Sequence, residues 1–291
     1  MILVTGAGGT VGGEVIRSLS RERMDFRAAF HSEVKAAQAR SAGLDCLILD
    51  FAKPETLRTA LRGVTQVFLL SPISPRLAER EAGVVEEAKQ AGVRHLVKLS
   101  VWRASEEGGA FARWHRASEK HIEESGLSFT FLRPNGFMQN LVNYFAESIR
   151  ERQAIDLPGG HAKVSLIDTR DIADVAARAL SDPGHGGRAY DLSGPESLSY
   201  PQMAHTLSVV LGKRVTYSDI PEADFKRGVM ERGAPEWMAD GFIEFQRYSM
   251  QGLASDVLGS VQQILGRRAT PFERFVRDHA RVFRQDQREA L

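Results

Sequence analysis

Glycines at three-residue intervals form the clearest chemical pattern in this sequence. The segment TGAGGTVG, residues 5–12, follows the apolar run Ile2–Thr5 and precedes an amphipathic stretch that is typical of a helix. The first glycine permits a tight turn, the second lets the backbone approach a pyrophosphate, and the third lets helix and strand pack closely. Backbone N–H groups at the start of such a helix attract phosphate oxygens. The alternative is a glycine-rich loop without a ligand. The pattern predicts a dinucleotide site that contains Gly6, Gly9, Thr10, Val11 and Gly12.

The residues after the second apolar run indicate which dinucleotide is bound. An NAD site usually places Asp or Glu at the end of this strand to hold the ribose 2′-hydroxyl. Here the run ends at Phe30 and continues with His31 and Ser32, and Lys35 follows one turn later. These side chains suit a 2′-phosphate, which favours NADP(H) over NAD(H). Lys35 as an ordinary solvated helix residue is the alternative.

Other candidate ligands of the coenzyme lie at strand ends, where sheets of this kind bind ligands. Asp50 and Phe51 follow the third apolar run and are candidates for the adenine side. Asp50 as the cap of the next helix is equally compatible with the sequence. Leu70, Ser71 and Pro72 follow the fourth run and are candidates for the nicotinamide side, or else simply end a strand. Pro134, after the sixth run, completes the predicted coenzyme-binding set.

The sequence contains no Tyr-x-x-x-Lys pair, the arrangement in which a lysine lowers the pKa of a tyrosine so that the phenol can act as acid or base. The residues four positions after the five tyrosines are Ser148, Gly194, Ala204, Pro221 and Gly252. In the expected helix, His115-x-x-x-Glu119 takes the place of the pair. Reduction of an ordinary ketone creates a basic alkoxide that needs a proton donor, whereas a quinone gives a stabilised phenolate and a carbocationic dye needs no proton. The sequence therefore favours such electron-poor acceptors.

Two residues near the missing pair are candidate catalytic groups. His115 has an unperturbed pKa near neutrality and is a candidate proton donor, or else a helix residue that only packs or hydrogen-bonds. Ser100, at the end of the fifth apolar run, is a candidate donor to an acceptor oxygen or a turn cap. Lys98 lies inside that run and could mark the pocket, but we expect it instead to be exposed at an edge or to extend its ammonium into solvent.

Aromatic, Met and Asn side chains near the strand ends are candidates for the acceptor pocket. Flat aromatic acceptors suit such walls, and a core between two lobes is the alternative role for the same side chains. The candidates are Trp102, Asn135, Phe137, Met138, Asn140 and Tyr144.

Apolar runs alternate with helical patterns along the first two-thirds of the chain, which predicts parallel strands with crossover helices. The predicted strands are Ile2–Thr5, Phe26–Phe30, Leu44–Leu49, Gln66–Leu70, His95–Ser100, Ser128–Leu132, Lys163–Ile167 and Ala189–Leu192. The expected fold class is α/β, a Rossmann-type doubly wound parallel sheet with a smaller, mostly helical carboxyl-terminal lobe. We expect a nucleotide-binding domain over residues 1–193, with 134–160 contributing to the acceptor pocket, and the lobe over 194–291.

Composition excludes several classes of protein. The 291 residues carry 38 Lys and Arg against 37 Asp and Glu, so no basic field is available to bind nucleic acid or an anionic membrane. The single cysteine, Cys46, excludes an intrachain disulfide and a multi-cysteine metal site, and no metal is predicted. No apolar run is long enough to span a membrane and no signal peptide is evident, so we expect a cytoplasmic protein. The sequence leaves the oligomeric state open.

Over nearly its whole length the chain resembles the NmrA-like group of atypical short-chain dehydrogenases. The resemblance is carried, in order, by ILVTGAGGTVG, LDFAKPETL, VFLLSP, AGVRHLVKLS, SGLSFTFLRPNGFMQN, VSLIDTRDIADVAARAL, PEWMADG and FERFVRDHA. It implies a Rossmann domain with a small carboxyl-terminal lobe and a preference for NADP(H). The His115 and Glu119 pattern also resembles this group, whereas members commonly carry Arg where this chain has His31.

The resemblance implies two kinds of function. Some members reduce quinones, azo compounds or cationic triarylmethane dyes, and others bind the coenzyme as redox sensors without evident turnover. Our first hypothesis is an NADPH-dependent reductase of a small quinone-like or other electron-poor aromatic acceptor. A sensor that binds NADP(H) and a protein partner is the second. A ketoreductase or sugar epimerase is disfavoured because the Tyr and Lys pair is absent.

Overall fold

The computed structural model describes residues 1–284 as alternating strands and helices. The strands are Ile2–Val4 (β1), Phe26–Phe30 (β2), Cys46–Ile48 (β3), Gln66–Leu69 (β4), His95–Leu99 (β5), Ser128–Pro134 (β6), Ala154–Asp156 (β7), Lys163–Val164 (β8), Arg188–Leu192 (β9), Leu198–Ser199 (β10) and Thr216–Ser218 (β11). The helices are Thr10–Arg21 (α1), Glu33–Ser41 (α2), Pro54–Ala60 (α3), Leu77–Gln90 (α4), Ala110–Glu124 (α5), Gln139–Glu151 (α6), Thr169–Ser181 (α7), Tyr200–Leu211 (α8), Glu222–Glu231 (α9), Glu236–Met250 (α10), Ser260–Leu265 (α11), Phe272–Asp278 (α12) and Ala280–Phe283 (α13).

Seven strands form one parallel sheet in the order β3-β2-β1-β4-β5-β6-β9. The strand order reverses between β1 and β4, and sheets of this kind bind ligands in the crevice at that point. The predicted doubly wound α/β fold is confirmed. The predicted strand Lys163–Ile167 is shorter than expected: β8 ends at Val164, and Ile167 forms only an isolated bridge with Phe137.

Both faces of the sheet are covered by helices, which explains the nearly continuous apolarity of its strands. On one face, side chains of α1, α2, α7 and α11 pack against alternate strand residues such as Val4 and Val97. On the other face, α3, α4 and α5 pack against the intervening residues, such as Leu3 and Leu96. All four of these strand side chains are fully buried. Helices thus cover both faces of the sheet, and the carboxyl ends of its parallel strands lie together at one edge.

The carboxyl-terminal part has a separate core. Residues of α6, β7 and β8 pack there with α8, α9, α10, α12 and α13 around Phe272, Phe275 and Phe283. The division of the chain at 193/194 stays a prediction, and residues 285–291 of the predicted lobe lie outside the described residues.

Among residues 1–284, no helix combines the length and apolarity needed to cross a membrane. The same residues contain no group of His, Cys, Asp and Glu side chains suited to a metal ion.

Candidate active site

The glycine turn after β1 leaves no room for side chains. Gly6 has a φ of +64°, and a Cβ there would lie 2.8 Å from Leu70 Cγ. A Cβ on Gly12 would lie 2.1 Å from the carbonyl oxygen of Gly6. The turn is closed by a hydrogen bond of 3.0 Å from the Gly9 N–H to the same oxygen. Gly6 and Gly12 therefore let the backbone of α1 lie directly against the end of β1.

The start of α1 has the features of an anion site. Gly9 is the N-cap residue, so no side chain caps the helix, and no acidic residue lies in its first turn. Its first N–H groups thus remain available to an external acceptor. Lys35 extends over the turn, where its Nζ donates a hydrogen bond of 2.7 Å to the carbonyl oxygen of Gly8. The turn therefore combines helix N–H groups with one cation, which fits a phosphate-bearing coenzyme.

The side chains predicted to select the coenzyme lie beside this turn. His31 is exposed and directly follows β2. Ser32 caps α2, because its hydroxyl accepts a hydrogen bond from the Lys35 N–H. The cation of Lys35 thus belongs to a helix that begins three residues after the strand end. Near the end of β3, Asp50 accepts from the N–H of Ala52 rather than capping α3, and Phe51 packs against the core.

At the end of β4, the predicted nicotinamide-side residues have distinct contacts. Leu70 packs over Gly6, and its N–H donates to the hydroxyl of Thr5. That hydroxyl also donates to the carbonyl of Leu70 at 2.9 Å, so Thr5 joins the ends of β1 and β4. Ser71 is buried and donates to Glu81 at 2.7 Å, and Pro72 follows it. Pro134 ends β6, where its carbonyl accepts from the Trp102 N–H.

A first buried polar group, the arginine cluster, consists of Ser100, Arg116, Glu119 and Arg133. Glu119 is fully buried and accepts from Ser100 Oγ at 2.7 Å and from Arg133 at 2.9 and 2.8 Å. Burial raises the pKa of Glu119, but the hydrogen bonds from Arg133 and Ser100 outweigh it, so the pKa lies below its ordinary value. Ser100 is therefore bound to Glu119 in the structure, and it is still a proposed catalytic residue.

A second group, the lysine cluster, consists of Ser71, Glu81, Lys98, His115 and Ser118. Lys98 is fully buried and forms an ion pair with Glu81, which also accepts from Ser118. The expectation of an exposed or solvent-reaching Lys98 is wrong, because α4 and α5 cover this face of β5 and supply the counterion. Lys98 Nζ also lies 3.2 Å from His115 Nδ1. Burial and the Lys98 charge hold the pKa of His115 well below its ordinary value of 6.5.

A cavity of about 550 Å³ lies between α6 and helices α8, α9 and α10. Its wall includes Phe137, Asn140, Tyr144, Tyr200, Met238, Phe242, Phe245 and Gln246. The rings of Tyr144 and Phe242 meet edge to face with centroids 5.8 Å apart. The wall residue Asn143 donates a hydrogen bond of 3.3 Å to the hydroxyl of Thr10 at the start of α1. The aromatic cavity therefore adjoins the glycine turn.

Three predicted pocket residues do not line this cavity. Trp102 is buried, and its Nε1 donates to the carbonyl of Leu253 at 3.0 Å. Asn135 is buried and donates to Ser165 and to the carbonyl of Ala254, both at 2.9 Å. Met138 packs in the core of the carboxyl-terminal part. These residues therefore pack between the sheet domain and the carboxyl-terminal part, as the alternative interpretation of these side chains predicts.

Sequence reasoning missed several members of the site. Glu81 gave a usable signal, because it interrupts the apolar stripe of α4 formed by Leu77, Val84, Val85 and Ala88. A glutamate on the buried face of a helix requires a partner. Gln246 gave no comparable signal. It accepts from the Tyr200 hydroxyl at 2.8 Å and lines the cavity more than a hundred positions after α6 begins.

Comparisons with known proteins agree with this geometry. An NAD(P)H azoreductase from Xenophilus azovorans is 37% identical, and the alignment covers 97% of this chain and 99% of that protein. The crystal structure of an NADPH-dependent quinone oxidoreductase from Escherichia coli, solved with NADPH, superposes with a TM-score of 0.86. It is 28% identical, covering 96% of this chain and 99% of that one.

A further crystal structure, triphenylmethane reductase from Citrobacter sp. complexed with NADP(H), has a TM-score of 0.83 and 27% identity. The superposition covers 95% of this chain and 99% of that one. The family model of the NmrA-like family matches residues 1–275. The resemblance found in the sequence motifs is thus confirmed, and the chain belongs to the NmrA-like family.

Proposed function

We propose that this protein is an NADPH-dependent reductase that transfers hydride to a quinone-like or other electron-poor conjugated aromatic acceptor. That the chain is an NAD(P)H-dependent oxidoreductase follows from relatives named as NAD(P)H azoreductase and quinone oxidoreductase. Its preference for NADP(H) agrees with related structures that contain NADPH or NADP(H). The nature of the acceptor is our proposal, and it is supported mainly by the aromatic cavity that meets the glycine turn through Asn143 and Thr10.

We assign the binding of the coenzyme and the orientation of the acceptor to different residues of the chain. The first N–H groups of α1 and the ammonium of Lys35 would hold the phosphates, while the strand ends at Leu70, Ser71 and Pro134 would flank the nicotinamide. When bound, NADPH supplies the hydride. The aromatic wall of the cavity would hold a flat acceptor against the ring, so that catalysis is mainly a matter of proximity and orientation.

The absence of a Tyr and Lys pair supports this choice of acceptor. His115 and Glu119 face the sheet from α5, and the structure binds them to Lys98 and Ser100 respectively. Neither side chain repeats the arrangement of a phenol beside a lysine of the same helix. A site without that strong acid suits acceptors whose reduced form is a stabilised anion or a neutral product.

The proposal is tested by NADPH oxidation with quinones, azo dyes and triarylmethane dyes, with NADH measured alongside. We expect turnover with at least one of these classes and faster turnover with NADPH. Phe242→Ala removes one aromatic side chain of the cavity wall and should raise KM for the acceptor up to about tenfold, because an aromatic pair contributes about 0.5–1.5 kcal/mol. Val209→Ala, an exposed position on α8, is the matched control. Binding of NADPH without oxidation by any acceptor would instead support the sensor function.

A further inference from the structure

The imidazole of His115 has two chemically different sides. Its Nδ1 lies 3.2 Å from Lys98 Nζ. Because an ammonium only donates hydrogen bonds, Nδ1 must accept, and the ring proton resides on Nε2. Among residues 1–284, Nε2 of His115 has no hydrogen-bond partner. His115 as a whole is 8% exposed, and its Nε2 is not fully enclosed, whereas Nε2 of His121 is buried without a partner. The N–H of His115 is therefore free to bind an external acceptor.

His115 also lies at the edge of the sheet where ligands of this fold bind. Helix α5 connects the parallel strands β5 and β6, so it runs antiparallel to them. Glu119 lies level with the end of β5, because it accepts from Ser100 Oγ at 2.7 Å. His115 precedes Glu119 by four residues and so lies about 6 Å further toward the ligand-binding edge. The His115 ring thus lies near the ends of β4 and β5, where Lys98 and the Ser71 partner Glu81 also lie.

Lys98 is held firmly in its contact with His115. Its three N–H donors are used by Glu81, by Nδ1 of His115 and by the carbonyl of Leu99 at 3.4 Å. Glu81 is held in turn by the hydroxyls of Ser71 and Ser118. The charged groups on the elements around His115 are Lys98 on β5, Glu81 on α4, Glu119 on α5 and Arg133 on β6. Among residues 1–284, Lys98 is the one of these that bonds His115 directly.

We propose that Lys98 is a positioning residue that fixes His115 as an Nε2–H donor, and that this N–H hydrogen-bonds an oxygen of a quinone-type acceptor. The acceptor part of this inference rests on the reductase function proposed above. In the reaction, the quinone gains the hydride and becomes a hydroquinone anion while the coenzyme is oxidised. Water then supplies the remaining proton, so His115 keeps its own. In ordinary short-chain dehydrogenases the lysine lies on the helix beside a tyrosine, whereas here it comes from strand β5.

The tautomer is tested directly in the coenzyme-free protein by long-range ¹H–¹⁵N NMR of labelled histidines. We expect the His115 proton on Nε2 in the wild type. Lys98→Met alone leaves Glu81 charged and buried without a counterion, so the informative variant is Lys98→Met with Glu81→Gln. In this double variant we expect a mixture of tautomers. The exposed pair Lys120 and Glu107 provides the matched control, as Lys120→Met with Glu107→Gln.

A wild-type proton on Nδ1, or a tautomer unchanged in the double variant, would overturn the role of Lys98. The kinetic arm compares kcat/KM for a quinone with kcat/KM for a cationic triarylmethane dye, which has no oxygen at the reacting carbon. We expect the quinone-to-dye ratio to fall about twofold or more in the double variant, since only the fraction of molecules with the proton on Nε2 still donates a hydrogen bond to the developing charge. An unchanged ratio would contradict the acceptor contact. Failure of every acceptor to oxidise NADPH would contradict the proposed function and the acceptor contact, while the NMR result still decides the role of Lys98.

Discussion

The glycine turn and the lysine cluster lie at the same edge of the sheet but are stabilised in different ways. The turn uses residues 6–12, which are adjacent in the chain and make backbone contacts with one another. The lysine cluster brings together side chains from Ser71 to Ser118, supplied by β5, α4, α5 and the end of β4. The turn depends on close packing that leaves no space for a side chain at Gly6 or Gly12. The lysine cluster depends on the pairing of the buried charges of Lys98 and Glu81.

This difference determines how each region should respond to substitution. A turn that has no space for a Cβ is sensitive to any side chain added at its glycines, whatever the polarity of that side chain. A buried ion pair is sensitive to the loss of one partner, because the remaining charge is then unpaired in a medium of low polarity. Volume changes should therefore damage the turn, and charge changes should damage the cluster.

The largest expected effect is on stability, in the lysine cluster. Lys98→Met should lower the free energy of unfolding by about 3–5 kcal/mol, because it leaves Glu81 charged and buried. Adding Glu81→Gln should recover much of this loss, since both charges are then removed. Urea unfolding measures both variants, with the exposed Lys120→Met as the control. A Lys98→Met protein as stable as the wild type would show that the pair does not carry the charge balance we describe.

The glycine turn should respond most strongly at Gly12. An alanine Cβ there would lie 2.1 Å from the carbonyl oxygen of Gly6, so α1 must shift away from the strand. We expect Gly12→Ala to weaken NADPH binding about 100-fold, since overpacking of this kind costs about 1–3 kcal/mol. At the neighbouring Gly13 the nearest atom would be 3.8 Å from the Cβ, so Gly13→Ala should bind normally. Equal affinities of the two variants, measured by calorimetry, would remove the close-packing argument.

A smaller effect is expected where a charge borders the turn. Lys35→Met removes the cation bound to the Gly8 carbonyl and should lower the preference for NADPH over NADH about tenfold. His31→Asp places a carboxylate at the end of β2, which suits a ribose hydroxyl and repels a 2′-phosphate, so it should act in the same direction. Dissociation constants for both coenzymes measure the ratio. An unchanged ratio in both variants would refute the assigned role of this strand end.

The smallest effect is the pH dependence that His115 imposes on stability. Its pKa in the folded protein is lowered by burial and by Lys98, so below pH 6.5 the unfolded chain binds the proton more readily. The contribution of neutral His115 to the free energy of unfolding is therefore complete above pH 6.5. It decreases as the pH falls, by at most about 1.4 kcal/mol per pH unit. His115→Asn should show a smaller decline in Tm between pH 7 and pH 5 than the wild type. Parallel declines would mean that His115 is not the group responsible.

The same contrast explains what the sequence could predict. The six strands predicted in the first two-thirds of the chain match β1–β6 to within two residues at each end, because apolar runs and glycine breaks are local signals. The close contact of Gly12 with the carbonyl oxygen of Gly6 followed from the spacing of the glycines alone. Both features depend on residues that are neighbours in the chain.

The lysine cluster and the cavity could not be predicted in the same way. The environment of Lys98 depends on Glu81, which lies 17 positions earlier on a different element. Trp102 and Asn135 looked like pocket residues because they follow strand ends, but their donors are satisfied by carbonyls of Leu253 and Ala254, far along the chain. Such pairings are decided by the packing of the carboxyl-terminal part against the sheet, which the sequence pattern does not specify.

The central claim is that the glycine turn after β1 binds the pyrophosphate of a nicotinamide coenzyme, and calorimetry on the coenzyme-free protein tests it most directly. We expect saturable binding of NADPH, weaker binding of NADH, and affinities for both that are about 100-fold lower in Gly12→Ala but unchanged in Gly13→Ala. A folded wild-type protein that binds neither coenzyme would contradict it.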